Sequence, residues 1–180
     1  GLHVAGAGGE TPSPPAGTAR MHAPLTIRTA RPDDLGAVDA LLARAYPRLL
    51  KPDYPPSVMV TAIPLIARGR PELLGSGTYY LAEVSGRVVG AAGWTPRREA
   101  GHGAVRHVVV DPDHARRGIG RALFAHLFDT AGARGVHRFS CLATRTAVPF
   151  YRALGFRPTG QVEVPLDRGI TFPAIRMRRG

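Results

Sequence analysis

The sequence predicts a single α+β domain whose central sheet is mixed, mostly antiparallel and about seven strands wide, with helices flanking it. A chain of 180 residues with 44% hydrophobic content and no internal repeat is long enough for one buried core and short for two. The strand-like and helix-like segments follow one another irregularly, which is typical of a mixed layout and not of a run of βαβ units. Residues 1–22 contain few large apolar side chains, so we expect a flexible tail there and a folded domain over 23–180.

Helix and strand signals are clear in the first half of the chain. Apolar and polar residues alternate from Leu25 to Thr29, which predicts a strand, and Pro32 followed by two acids predicts a helix start. That helix runs over about 33–46, where apolar residues recur at three-and-four spacing. A second, shorter helix is expected between Pro56 and Arg68, after a proline-rich turn. Strands over 78–84 and 87–94 follow, joined by Ser85-Gly86, which is a tight hairpin signal.

The second half of the chain continues with a polar loop and a further set of elements. The loop covers 95–103, and the β-branched segment 104–110 is a strand that Asp111-Pro112 closes. A helix over 119–133 carries a stripe of Leu and Phe, and Gly155 is the expected stop of a later, short helix. That short helix is predicted at 147–154, and the remaining strands are predicted at 137–142, 161–164 and 170–177.

The charge of the chain favours an anionic partner. Its 24 basic and 13 acidic side chains give a formal net charge of +11, and three partners compete: nucleic acid, an acidic membrane surface or a phosphorylated small molecule. Nucleic acid is disfavoured because no aromatic residues alternate with the basic ones, and no apolar run is long enough to span a bilayer. The excess of Arg over Lys is explained equally well by genomic base composition.

The single cysteine and the composition of the tail bear on the compartment. Cys141 lies in an apolar stretch and cannot form an internal disulfide, which predicts a buried thiol and fits a reducing, cytoplasmic setting. The tail shows no basic region followed by an apolar block, so it does not have the pattern of a secretory signal. A homodimer is possible, and no pattern specifies it.

The most informative segment is a strand, a basic glycine-containing turn and a helix that follow one another directly. The first amides of a helix have no intrahelical acceptor, so a phosphate is a natural ligand at the corner formed by Gly118 and Gly120. Arg116, Arg117 and Arg121 add positive charge around it. An ordinary strand-to-helix turn explains the two glycines equally well. A P-loop is excluded because Arg and Ala follow the second glycine, and no third glycine completes a Rossmann fingerprint.

Two blocks of the sequence resemble one known family. RHVVVDP at 106–112 and RRGIGRAL at 116–123 resemble the acyl-CoA signature of the GCN5-related N-acetyltransferase (GNAT) family, and AVPFYRALGF at 147–156 resembles its late helix. The order of elements also agrees, so the resemblance covers roughly 25–178. One position departs from the pattern: the family commonly has Gln or Arg three residues before the first glycine, where this chain has Ala115.

The resemblance implies an acyl-CoA N-acyltransferase fold and an acetyltransferase that uses acetyl-CoA as co-substrate, with no metal. The backbone of the strand before the turn would pair with the pantetheine arm, and the amides of the turn would hold the pyrophosphate. Tyr151 corresponds to the family's usual general acid, which protonates the departing thiolate. The residues that the resemblance assigns to CoA are Val108, Val109, Val110, Arg116, Arg117, Gly118, Ile119, Gly120, Arg121 and Ala122.

The acceptor side is less defined by the sequence. An alkylamine must lose a proton before it attacks a thioester, and Glu83 and His107 are our candidates for the base, although a solvated strand residue and a hydrogen-bonded structural histidine are the simpler interpretations. We expect the acceptor pocket to involve the region 45–71 and the loop after Trp94, with Tyr46, Tyr80 and Trp94 as lining residues.

The leading hypothesis is therefore an enzyme that acetylates a small primary amine. A non-catalytic acyl-CoA sensor or interaction module on the same fold is the alternative, and a basic nucleic-acid-binding protein is a third, weaker hypothesis.

Overall fold

The computed structural model describes residues 23–166 and 169–180 and shows a seven-stranded sheet with helices on both faces. The predicted tail lies outside the described residues, so its structure stays a prediction. Strands and helices follow the chain as β1 Leu25–Thr29, α1 Leu35–Leu50, α2 Pro56–Ile66, α3 Pro71–Leu74, β2 Tyr79–Val84, β3 Arg87–Pro96, β4 His102–Val110, α4 Ile119–Ala133, β5 Arg138–Ala143, α5 Val148–Ala153, β6 Arg157–Pro165 and β7 Thr171–Arg179.

The sheet has the strand order β1-β2-β3-β4-β5-β7-β6. All neighbouring strands are antiparallel except β4 and β5, which run parallel because α4 forms the crossover between them. The predicted mixed, mostly antiparallel sheet of about seven strands is therefore confirmed.

Two hydrophobic clusters lie on opposite faces of this sheet. Helices α4 and α5 cover one face, and the cluster there includes Phe124, Phe150 and Tyr151. Helices α1 and α2 cover the other face, where the cluster includes Tyr46 and Phe172. Strand residues alternate between the two clusters, as side chains do along a pleated strand.

Several predicted boundaries differ from the observed ones for identifiable reasons. Helix α1 continues past Pro47 to Leu50, because Leu49 and Leu50 are buried and extend its apolar face. The predicted loop 95–103 is shorter, since β3 and β4 remain paired as far as Pro96 and Gly103. The one-turn helix α3 was not predicted.

None of the helices in the described ranges is both long enough and apolar enough to cross a bilayer. Cys141 is buried and unpaired, as its apolar neighbours in the sequence predicted.

The contact between α4 and α5 depends on a glycine. A Cβ atom built on Gly120 would lie 2.7 and 2.9 Å from ring carbons of Phe150, closer than real Cβ contacts occur. Helix α4 can therefore approach α5 only because this position, buried in the second residue of the helix, has no side chain.

We predict that Gly120→Ala lowers the free energy of unfolding by about 2 kcal/mol, because overpacking forces the Phe150 ring or the helix to move. Gly132→Ala is the matched control in the same helix, since its Cβ would meet His137 at an ordinary 3.4 Å. The control should be neutral or slightly stabilising, because alanine is the better helix former. Urea unfolding followed by circular dichroism measures both, and equal effects of the two substitutions would contradict the packing argument.

Candidate active site

The central feature of the candidate site is a gap between the two parallel strands. Strands β4 and β5 pair only at His102↔Arg138, Gly103↔Phe139 and Ala104↔Ser140. Beyond Ala104 the strands separate, while β4 continues to pair with β3 as far as Val110. The edge of β4 over 105–110 therefore faces β5 without strand pairing in the described structure, and its amides and carbonyls are available to an extended ligand.

A β-bulge in β4 lies inside this unpaired stretch. Arg106 is opposite Gly93 and Val109 is opposite Ala91, so His107 and Val108 together oppose the single residue Ala92. His107 has a φ of 48°, a left-handed conformation that is uncommon for a residue with a side chain.

Three contacts hold His107 in place. Its Nε2 atom lies 3.1 Å from the carbonyl oxygen of Ile66, its ring lies edge-on to Tyr46, and its own carbonyl accepts a 2.7 Å hydrogen bond from the Tyr79 hydroxyl. Burial lowers the pKa of His107 to about 4, so the imidazole is neutral at pH 7. The structure thus fastens this candidate base to α2, where it supports the bulge.

Glu83, the other candidate base, lies far from the gap. It is in β2, which β3 separates from β4, and its carboxylate accepts a 2.8 Å hydrogen bond from Arg28 Nε. Arg28 also contacts Asp34 at 2.6 Å and holds the pKa of that carboxyl at about 2. Glu83 therefore belongs to an ion network that ties β1 and β2 to the start of α1.

The basic corner lies at the start of α4, as predicted. Gly118 precedes the helix with a φ of 72°, and Arg116 also has a positive φ, of 65°. Gly118 is exposed, and a Cβ atom built on it would meet nothing within 4 Å. The backbone amide of Ala122 donates to the carbonyl of Gly118 at 2.9 Å, and the amides of Ile119 and Gly120, which begin the helix, are available to an anion.

The two glycines of the corner thus serve different needs. Gly118 supplies a left-handed backbone, while Gly120 allows α4 to contact Phe150. From the sequence, both glycines were expected to have the same role, which was to leave room for a pyrophosphate.

Tyr151 is completely buried, and its hydroxyl has no hydrogen-bond partner in the described structure. Its ring packs against Phe124, Phe150 and Phe156 on the α4 side of the sheet. Burial raises the pKa of its phenol well above the ordinary value, and Cys141 and Tyr46 raise it further. Tyr46 itself packs on the opposite face of the sheet.

The buried phenol calls for an explanation, because native structures leave few buried polar groups unpaired. Tyr46 has the same property, and so does the Thr144 hydroxyl just after β5. Within the described residues, these three unpaired hydroxyls thus lie on α1, on α5 and just after β5.

The three predicted acceptor residues are split between the two faces. Tyr46 lies on the α1 side. Tyr80 and Trp94 lie beneath α4, where the Tyr80 hydroxyl is 2.6 Å from that of Thr130 and accepts a 3.3 Å bond from Trp94 Nε1. Tyr80 and Trp94 are therefore packing residues of the α4 face.

The sequence analysis did not single out the residues that line a cavity at the gap. A cavity of about 280 Å³ opens there, with an apolar part that includes Val105, Cys141 and Leu142. Its polar lining is Ser140 and four arginines, Arg97, Arg106, Arg176 and Arg178. One signal was present in the sequence: Arg176 and Arg178 alternate with Ile175 and Met177 in a predicted strand, which puts both arginines on one face.

No group of three or more His, Cys, Asp or Glu side chains in the two described ranges is arranged to hold a metal ion.

A sequence model described as the acetyltransferase (GNAT) family matches residues 41–156, which is more than half of the chain. The chain belongs to the GNAT family. The match includes the bulged strand β4, the basic corner and α5, which are the elements that carry the two blocks of resemblance. Membership also accounts for the sheet order and for the crossover by α4.

Curated relatives are similar over limited segments. A glucosamine 6-phosphate N-acetyltransferase of Trypanosoma brucei brucei is 36% identical over 78 residues, which is 41% of this chain and 53% of the relative. The ribosomal protein bS18-alanine N-acetyltransferase of Escherichia coli K12 is 40% identical over 53 residues, 28% of this chain and 36% of the relative. The GNAT chain thus spans about half or less of the length of these relatives.

Solved structures show the same fold. A GCN5-related N-acetyltransferase of Rhodopseudomonas palustris superposes with a TM-score of 0.68 at 21% identity, covering 89% of this chain and 98% of the other. The PaiA N-acetyltransferase of Thermoplasma acidophilum, in complex with coenzyme A, superposes with a TM-score of 0.67 at 14% identity, covering 87% and 98%.

We predict that the stability of this GNAT protein falls between about pH 6.5 and pH 4 because of His107. The unfolded chain takes up a proton near the ordinary histidine pKa of about 6.5, whereas the folded imidazole resists protonation down to about 4. At pH 5 this difference amounts to about 2 kcal/mol.

His107→Asn tests the prediction, because asparagine tolerates a positive φ and does not titrate. Urea unfolding measured from pH 4 to pH 8 should show a flatter stability curve for the variant. A loss below pH 4 should remain, because Asp34, whose folded pKa is about 2, is protonated in the unfolded chain first. An unchanged slope between pH 6.5 and pH 4 in the variant would contradict the assignment to His107.

Proposed function

We propose that this GNAT protein is an N-acetyltransferase that moves an acetyl group from acetyl-CoA to a small primary amine by direct attack on the thioester. The observation that carries the proposal is the edge of β4 beyond Ala104, which is not paired with β5 and leads along the chain to the exposed corner at Gly118. The phenol of Tyr151, which packs in one cluster with residues of β4 and β5, has no hydrogen-bond partner among the described residues. These are a strand edge for an amide-containing arm, a cradle for a diphosphate and a proton donor for a thiolate.

The residues fit acetyl-CoA at each of these points. Gly118 leaves open space above the first amides of α4, and Arg116 and Arg117 are exposed beside it, so the corner would hold the pyrophosphate. Val108, Val109 and Val110 would offer backbone groups to the pantetheine amides. Ile119, Gly120, Arg121 and Ala122 complete the first turn of the helix.

The chemistry requires the chain to orient an amine, to stabilise an oxyanion and to deliver one proton. The amine nitrogen forms a bond to the thioester carbon and loses one proton to solvent, the carbon–sulfur bond breaks, and the thiolate takes a proton. Backbone amides of bulged β4 are suited to the oxyanion, because preorganised donors stabilise developing charge. Tyr151, neutral because burial raises its pKa, is suited to give the proton to sulfur.

The loss of a proton from the amine needs no carboxylate base in this arrangement. Like charges disfavour the charged form of a group, so the half-buried guanidinium of Arg106 in the cavity lining lowers the pKa of an ammonium ion that enters the cavity. The ammonium ion then gives its proton to solvent through the exposed side of the cavity, and the neutral amine attacks. Neither Glu83 nor His107 is assigned a proton transfer in this proposal.

The remaining parts of the proposal follow from charge and cysteine chemistry. A small molecule is favoured over nucleic acid because four arginines line a cavity of about 280 Å³. We propose a reducing, cytoplasmic setting, because the buried free thiol of Cys141 has its pKa raised by burial and is unreactive.

Binding of acetyl-CoA is the first test, by isothermal titration calorimetry. We expect Gly118→Ala to weaken binding about fivefold to tenfold, because alanine resists the left-handed conformation by about 1 kcal/mol and the amides of the turn shift. Gly77→Ala is the matched control, since Gly77 is also exposed, also left-handed at 79°, and lies before β2. Absence of binding at millimolar acetyl-CoA, or equal weakening by both substitutions, would reject the cradle at Gly118.

Turnover distinguishes the enzyme from a non-catalytic acyl-CoA sensor. Release of free CoA thiol, followed with a thiol reagent and a panel of primary amines, should fall about 100-fold in kcat for Tyr151→Phe. Affinity for acetyl-CoA should be unchanged, and thermal stability should be equal or higher, because the substitution removes a buried unpaired hydroxyl. A sensor would bind acetyl-CoA without amine-dependent thiol release, and Tyr151→Phe would leave its properties intact.

A further inference from the structure

The cavity between β4 and β5 has one strongly cationic wall. Arg97, Arg106, Arg176 and Arg178, together called the arginine wall, come from the end of β3, from β4 and from β7. Strand register puts them on one face: Arg178 is opposite Ser140 and Arg176 is opposite Leu142. Leu142 packs in the cluster under α1 and α2, so the wall lies on the face opposite α4.

The arginine wall has no carboxylate partner within the described residues. None of the ion pairs formed by residues 23–166 and 169–180 includes any of its four members. Arg97 contacts the hydroxyl of Ser140 at 2.8 Å, and Arg106 Nε contacts the hydroxyl of Thr95 at 2.8 Å. Elsewhere the chain does pair its half-buried guanidiniums, as Arg44 with Asp111 at 2.9 Å shows.

Among the members of the arginine wall, Arg106 gives the strongest argument for an anionic ligand. It is half-buried, and its pKa is lowered by burial and by the nearby charges of Arg70 and Arg97. A partly desolvated cation among like charges is unfavourable on its own, and an anion in the cavity would relieve both the desolvation and the repulsion.

We propose that the amine accepted by this protein carries its own anionic group, a phosphate or a carboxylate, which the arginine wall binds. This inference rests on the proposed acetyltransferase function and names the class of its acceptor. Guanidinium groups bind both oxyanions through paired N–H donors, so the shared chemistry is a primary amine joined by a few bonds to an oxyanion.

The cavity also limits the size of this acceptor. Its volume of about 280 Å³ lies just below the usual range of ligand pockets, which is about 300–1,000 Å³. A small anionic amine fits, whereas a folded protein surface does not enter. Each of the four guanidiniums can approach one end of such a molecule while its amine points through the gap toward the α4 face.

Two pairs of amines that differ in the anion test the proposal. Ethanolamine is compared with O-phosphoethanolamine, and alaninamide with alanine, by thiol release at saturating acetyl-CoA. We expect at least a tenfold higher kcat/KM for one of the anionic members over its uncharged partner, decreasing as ionic strength rises. The pair of amines that shows the preference indicates whether the anionic group of the acceptor is a phosphate or a carboxylate. A higher rate for alanine cannot come from its amine, because alaninamide is the weaker base and has more neutral amine.

Arg176→Gln then assigns the preference to the wall. Its kcat/KM for the anionic amine should fall at least tenfold, that for the uncharged partner should change less than twofold, and affinity for acetyl-CoA should be unchanged. Arg87→Gln is the control, because Arg87 is equally exposed, begins β3 at a distance from the cavity and removes the same charge. Thermal melting of both variants confirms that they are folded.

The outcomes separate this inference from the proposed function. Equal or faster reaction of the uncharged amines would overturn the anionic acceptor and leave the transferase standing. So would equal losses for both members of a pair in Arg176→Gln. Acetylation of peptides while none of the four amines reacts would also overturn it. Failure of every amine and peptide to release thiol, despite acetyl-CoA binding, would instead reject the proposed function.

Discussion

The separation of β4 from β5 is the constraint on which the rest of the site depends. Three residue pairs hold the parallel strands together, and after Ala104 the bulge at His107 shifts the register of β4 against β3. A bulge bends its strand and increases the local twist, so the strand edge moves away from β5. The left-handed backbone of His107 is unfavourable alone, and the contacts with Ile66, Tyr79 and Tyr46 stabilise it. The neutral imidazole is thus part of the geometry of the opening and not of its proton chemistry.

Much of the fold could be predicted because it is encoded locally. Helix α4 was predicted at its observed bounds, since its apolar stripe and the glycines on either side are short-range signals. Ser85 and Gly86 both have positive φ, as the hairpin required, and Gly155 ends the late helix with a φ of 88°. The continuation of α1 through Pro47 was not predicted, because burial of the following leucines is a tertiary effect that outweighs the proline signal.

In the candidate site, too, some residues could be identified from local sequence, whereas the position of others depends on the tertiary structure. The basic corner and Tyr151 belong to contiguous blocks of sequence, so pattern and family resemblance reached them. The position of Glu83 and the packing of Tyr80 and Trp94 beneath α4 depend on which face of a strand each residue occupies and on pairing across the sheet. The arginine wall was missed for this reason: its members come from three separated segments, and each arginine alone has an ordinary surface explanation.

In the proposed reaction, the positive charge of the arginine wall affects both the binding of the acceptor amine and its reactivity. A guanidinium cannot accept a proton at any physiological pH, so the wall cannot act as the base. It can nevertheless favour the reactive form of the acceptor, because a positive potential near an ammonium ion lowers its pKa. An anionic substituent that contacts Arg176 and Arg178 neutralises the outer part of the wall. Arg106, half-buried and closer to the bulge in β4, then contributes the charge that acts on the amine. The anion thus determines which amine enters, and the inner arginine favours deprotonation of that amine. One cluster of side chains therefore accounts both for selectivity and for a cavity whose described lining residues include no carboxylate.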